Sequence, residues 1–172
     1  MVEVVVSRLG IDPGTQSYVV VLQEKGGSRL LPIWIGQAEA ESIVRHMHNM
    51  QGERPIAHDL CKNLILALGG TLRRVQVTHL AKTTYHGELQ VERDGTLIRL
   101  DSRPSDAIAI ALRLNAPIFA AESLLSSVDD DEDEDAGETL MPPQRESGEL
   151  SAEQLKDYLE HLRPEDFGKF NL

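Results

Sequence analysis

Val2, Val4 and Val6 recur at every second position, the period of a strand with one buried face. Asp12-Pro13-Gly14 then supplies turn chemistry before the apolar stretch Tyr18 to Leu22. Lys25-Gly26-Gly27-Ser28 supplies a second turn before Leu30 to Ile35, which ends at Gly36. Three sequential strands are therefore expected to open the fold. The period changes at Gln37. Up to Gln51, residues Ala40, Ile43, Val44, Met47 and Met50 fall on one helical stripe, which Gly52 ends. A second helix is predicted from Pro55, with Ala57, Leu60, Cys61, Leu64 and Leu68 as its buried stripe and Gly69-Gly70 as its stop. Alternation returns with Val75, Val77 and His79, then with Tyr85, Leu89 and Val91 against polar neighbours. Asp94-Gly95 is a strong hairpin signal and pairs Leu89 to Glu92 with Leu97 to Leu100. From Ala107 to Leu112 every side chain is apolar, so a helix here has no polar face and is expected in the interior, with Ser105 as its N-cap.

Strands and helices that do not alternate strictly define an α+β domain, with a mixed, largely antiparallel sheet packed with helices. A single compact domain is expected over residues 1–128, followed by an acidic linker at 129–149 and a C-terminal helical appendage at 150–172. In that appendage Ser151 and Gln154 form a capping box and Leu150 can staple to Leu155. Leu155, Tyr158, Leu159 and Leu162 then make a stripe that a lone helix cannot bury. A protein partner for this helix is one expectation.

Charge sharpens the division. The net charge of -11 resides in the tail: residues 1–128 hold 13 Lys+Arg and 13 Asp+Glu, against 4 and 15 in residues 129–172. The run Asp129 to Asp135 is expected to be a solvated, disordered linker. A neutral body lacks the broad basic surface of a protein that coats duplex DNA, so any contact with nucleic acid must be local. No apolar run approaches the roughly 20 residues that span a bilayer. With no basic region or cleavage site at the N-terminus, a cytoplasmic protein without membrane contact is expected. The lone Cys61 excludes an internal disulfide and a cysteine-based zinc cluster, and is read as a buried thiol.

Candidate chemistry gathers at two helix starts. Asp101-Ser102-Arg103-Pro104-Ser105-Asp106 crowds two carboxylates and a guanidinium where the apolar helix begins. Its backbone N–H groups and dipole favour an anion there. Arg54, His58 and Asp59 load the start of the second helix in the same way. Glu39 lies beside the apolar stripe of the first helix, whereas Glu41 points away, with Arg45 as its partner four residues on. His46 and His48 face different ways and make a poor metal pair. Trp34 could stack on a base, but core or subunit packing is the stronger reading. The nucleotide-loop, dinucleotide, GxSxG and HExxH signatures are absent. As a working mechanism, Asp101 and Asp106, with Glu39 or Asp59 as metal ligands, hold Mg²⁺ or Mn²⁺. Arg103 and Arg54 then clamp a phosphate, Ser102 and Ser105 bind substrate, and His58 moves a proton. The rivals are a non-enzymatic regulatory or assembly module and a binder of small phosphorylated ligands.

Leu31-Pro32-Ile33-Trp34-Ile35-Gly36 with Glu39-Ala40, Arg54-Pro55 with His58-Asp59-Leu60, and Asp101 to Ala107 together resemble the bifunctional nuclease domain family in order and spacing. The resemblance covers roughly residues 2–126. It implies hydrolysis of RNA and DNA, preferentially single-stranded, by a small α+β fold that tends to self-associate into homo-oligomers. Ala57 stands where the family motif usually has Thr. The closing segment, Tyr158-Leu159-Glu160 to Phe167, is similar to tails of bacterial members.

Overall fold

The N-terminal alternation and its turns fold into an antiparallel meander of β1 (Val2–Asp12), β2 (Ser17–Glu24) and β3 (Leu30–Ile35). The structure is a computed structural model that describes residues 1–126 except Pro13, Gly14 and Gln51. The expected linker and C-terminal helix lie outside the described residues. Helices α1 (Gln37–Met47) and α2 (Ala57–Ala67) follow, then β4 (Thr71–Ala81), β5 (Thr84–Arg93), β6 (Thr96–Ser102), α3 (Pro104–Leu114) and β7 (Ile118–Ala120). Seven strands form one sheet in the order β3-β2-β1-β7-β4-β5-β6, antiparallel throughout except between β4 and β7. This is the α+β architecture that the patterning predicts. β7 joins the two antiparallel halves, yet the sequence predicts no strand there, because three residues are too few to display a period.

The helices cover one face of the sheet. Val4, Val20, Leu22, Ile33, Val75, Val77, Leu89 and Ile118 point into that layer and meet Ile43 of α1 and Ile108 of α3. α3 is the central helix, packed against both α1 and α2 and lying over β4 and β5. It is buried nearly all round, as its composition requires, and Asn115 caps it in the left-handed conformation at φ 51°. Among the described residues no helix is long and apolar enough to cross a membrane.

Several expectations need correction. The N-cap of α3 is Arg103, not Ser105: Pro104 takes the first helical position, where its fixed φ suits the helix and its missing N–H is not needed, which leaves Ser105 buried one residue in. α2 begins at Ala57 rather than Pro55 and buries a different stripe. Cys61 and Ile65 pack against the core, while Leu60, Leu64 and Leu68 are at least half exposed. α1 stops at Met47, short of Gln51. Trp34 is exposed and donates its indole N–H to Asp12 Oδ2 at 3.1 Å, so it is no core residue of the chain.

Candidate functional site

A sharp turn from β6 into α3 builds the centre of the site. Gly87 on β5 lies under that turn, and a Cβ there would sit 3.1 Å from Pro104 backbone atoms and from the Ser102 carbonyl oxygen. The close approach carries Arg103 over the edge of the helix layer with its side chain two-thirds exposed. Its Nε donates to Asp106 Oδ2 at 2.8 Å and its Nη2 to Asp106 Oδ1 at 3.1 Å. Nη2 also donates to Glu39 Oε1 at 2.5 Å. Glu39 sits in the first turn of α1, where its carboxyl folds back over Gly36, so a side chain at Gly36 would collide with it.

His58 extends this chain of contacts inward from the first turn of α2. Its Nε2 lies 3.0 Å from Asp106 Oδ1 and its Nδ1 lies 2.7 Å from Ser42 Oγ. The carboxylate can only accept, which assigns the proton of a neutral ring to Nε2 and leaves Nδ1 to accept from the Ser42 hydroxyl. The buried Arg113 of α3 then donates from Nη2 to the Ser42 carbonyl at 3.1 Å, from Nη1 to the Ala109 carbonyl at 2.9 Å, and from Nε to Asp59 Oδ1 at 2.6 Å. Asp59 Oδ2 caps α2 by accepting the Ile56 N–H at 3.0 Å. One polar network thus runs through Glu39, Arg103, Asp106, His58, Ser42, Arg113 and Asp59, and ties α1, α2 and α3 together.

Two carboxylates of this network, Asp106 and Asp59, are held in the ionised form. Burial pushes the Asp106 carboxyl up, but the hydrogen bonds from Arg103 and His58 and their charges outweigh it, and the net pKa lies below the ordinary value. Asp59 behaves alike: burial raises it, while Arg113, the Ile56 N–H and Lys62 bring it lower. The Arg103 guanidinium is raised, chiefly by its hydrogen bond to Asp106.

On the other side of the first turn of α2 lies a cavity of about 420 Å³ whose lining includes Arg45, His46, Arg54, Asp59, Lys62 and Arg113. Its positive field is visible at His46, whose pKa is lowered by burial and then by Arg113 and Lys62. Arg45 is also paired with Glu41 at 3.1 Å, the surface pairing expected from their spacing.

The structure therefore brings Glu39, His58, Arg103 and Asp106 together, and joins Asp59 to them through Arg113 and Ser42. Arg54 lines the neighbouring cavity. Asp101 stands apart. It pairs in register with Glu88 on the open face of the sheet, is exposed, and takes no part in the network. Ser102 has a buried hydroxyl with no hydrogen-bond partner among the described residues, and Ser105 is buried within the first turn of α3. Ala57, the departure from the family motif, is exposed at the start of α2. Sequence reasoning missed Ser42 and Arg113. Their signal was present, since each is a polar residue set among apolar helical positions, which requires a buried partner.

The expected metal does not fit this arrangement. Glu39 and Asp106 already share the Arg103 guanidinium and Asp59 is taken by Arg113. Among the described residues no three His, Cys, Asp or Glu groups are disposed to hold one ion.

The sequence profile of the bifunctional nuclease domain matches residues 20–132. The chain belongs to that family. It is 35% identical over 171 residues to an uncharacterized protein of Mycobacterium tuberculosis, covering 97% of this chain and 98% of that one. It is also similar to "Bifunctional nuclease 2" of Arabidopsis thaliana, 33% identical over 105 residues, and to "Bifunctional nuclease 1" of Oryza sativa subsp. japonica, 29% identical over 110 residues. These matches cover 59% and 62% of this chain but only 32% and 33% of the two plant proteins. The family match thus falls on the domain that holds the network.

Proposed function

We propose that this member of the bifunctional nuclease domain family hydrolyses phosphodiester bonds of RNA and DNA, with single strands preferred. The observation that carries the reading is Arg103. Its guanidinium is braced by Asp106 and Glu39 yet largely exposed, beside an imidazole held by Asp106. Bracing takes up Nε and Nη2 and leaves Nη1, with its two N–H groups and the guanidinium charge, for a phosphate oxygen. Water attacks phosphorus and gives up a proton as the ester P–O bond breaks; the His58–Asp106 pair takes up that proton, and the imidazolium so formed returns it to the leaving oxygen. Arg54 and Lys62, in the adjacent cavity, offer charge to a neighbouring phosphate. A single strand can bend between these two places, whereas the neutral body offers a rigid duplex no continuous basic track. Divalent-ion assistance would require Arg103 to leave its two carboxylates.

Purified full-length protein should cleave single-stranded RNA and DNA oligonucleotides. His58→Ala and Arg103→Ala should each lower the rate by about 100-fold or more. If either variant cuts as fast as the parent, the site assignment fails. Repeating the assay with chelator decides the ion requirement.

A second reading, a regulatory or assembly module without catalysis, is favoured by one observation: Arg103 is already saturated on one edge by Asp106 and Glu39. Binding of a protein partner with no cleavage of any oligonucleotide would select it.

A further inference from the structure

The cavity beside the first turn of α2 holds more positive charge than its own carboxylates neutralise. Arg113 donates from Nε to Asp59 at 2.6 Å, and Arg45 has Glu41 at 3.1 Å. Arg54 and Lys62 make neither a hydrogen bond nor an ion pair among the described residues, and Lys62 is half-buried. Glu53, the remaining carboxylate of the lining, is exposed to solvent. An ammonium drawn out of water without a counter-charge is unfavourable, so the arrangement calls for an anion. Pro55 and Ile56 carry the lining onto the start of α2, whose dipole and first-turn N–H groups favour the same sign of ligand.

Depth and wall chemistry narrow the anion. The lining reaches Arg113, whose side chain is only 4% exposed, so a group at that depth is the end of a ligand and not the middle of a passing strand. A phosphodiester has one charge and a chain on both sides. A phosphomonoester has nearly two charges at neutral pH, three acceptor oxygens and one chain to lead out. Met50, Pro55 and Ile56 add apolar wall, and the volume of about 420 Å³ leaves room for a sugar and base behind the phosphate.

We propose that this cavity binds the phosphomonoester of a nucleotide, free or at the end of a strand. The binding does not depend on cleavage. One consequence does rest on the nuclease reading: the cavity and the Arg103 site meet at the neighbouring residues Asp59 and His58, so a seated strand end directs cutting close to that end.

Calorimetric titration of the full-length protein should show adenosine 5′- or 3′-monophosphate binding about 10-fold or more tighter than adenosine. Lys62→Gln and Arg54→Gln should each weaken that binding by about 5-fold or more, with circular dichroism unchanged. Arg103→Ala should bind as the parent does, so a failure of the nuclease reading leaves this result intact. His46 gives a second readout. Burial, then Arg113 and Lys62, hold its pKa below the ordinary value, with Asp59 acting the other way. A bound dianion offsets those cations, so the ring should titrate at higher pH by NMR with the monophosphate present but not with adenosine, while His79 and His86 stay put. Oligonucleotides with a 5′-phosphate, a 3′-phosphate or neither then compete with the monophosphate. Competition by a phosphorylated end alone identifies the strand end as ligand, and competition by no oligonucleotide identifies the free nucleotide. The proposal is overturned if adenosine binds as well as its monophosphates, if neither binds, or if an unphosphorylated strand competes equally. Binding that ignores Lys62→Gln and Arg54→Gln, disappears in Arg103→Ala, or leaves His46 unmoved also overturns it.

Discussion

Helices α2 and α3 both open with a charged first turn, and those turns meet at the hydrogen bond between His58 and Asp106, yet α3 is buried along its length while α2 leaves Leu60, Leu64 and Leu68 half exposed. α3 is fixed by packing on every side. α2 is held by Cys61 and Ile65 and by a polar head that reaches Asp106, Ser42 and Arg113. The difference assigns the two helices different duties: α3 is the rigid member that carries Arg103 and Asp106, and α2 is docked to it by charge and hydrogen bonding. The geometry around His58 then depends on polar contacts that act over a short range and tolerate little displacement.

The strongest test removes the joint. Arg113→Ala takes away three hydrogen bonds from a side chain only 4% exposed, and strips α2 of its tie to α3 through Asp59. We expect a loss of about 2–4 kcal/mol in urea unfolding, less than for a fully buried pair because Asp59, 39% exposed, can regain water. A loss below about 1 kcal/mol would mean that α2 docks through its apolar contacts alone.

Next in size is Asp106→Asn. The folded pKa of Asp106 lies below its ordinary value, so its ionised form contributes stability that is present above the unfolded pKa and is lost as pH falls through the folded one. At neutral pH the amide should cost about 1–3 kcal/mol, because it cannot neutralise Arg103. The deficit should shrink toward zero as the parent is acidified into the carboxylate range. Asp59 is depressed in both proteins, so the difference between their pH curves, read by denaturant midpoint, isolates Asp106. A deficit that stays constant down to strong acid would locate the effect in shape rather than charge.

How far the sequence reached differs between these same helices. α3 was legible because an element apolar on every side has only one place to go, although its start was placed two residues late, with Ser105 rather than Arg103 as the N-cap. The motif residues Glu39, His58 and Asp106 could be singled out, but not their mutual distances, since three separate helices set them. Asp101 illustrates the cost: it is a motif residue by spacing, but strand parity turns it to the open face beside Glu88. β7 was out of reach because three residues are too few to show a period, whereas Ser42, a hydroxyl beside the apolar stripe of α1, carried a signal that went unused. In α2 the period was right and the phase was wrong. Leucines suit either face of a helix, and which row is buried was decided by where His58 and Asp59 must point to meet Asp106 and Arg113.

The smallest expected effect tests that phase directly. Ile65 and Leu64 are adjacent in sequence, yet Ile65 packs against the core and lies against Gly70 beside Val91, while Leu64 is half exposed. Ile65→Ala should cost about 1–3 kcal/mol, the lower part of the range for truncating a buried aliphatic side chain because Ile65 is only partly buried. Leu64→Ala should cost under about 0.5 kcal/mol in dilute protein, as for a surface position. A larger cost for Leu64→Ala than for Ile65→Ala would mean that the leucine row, not the isoleucine and cysteine row, faces the core.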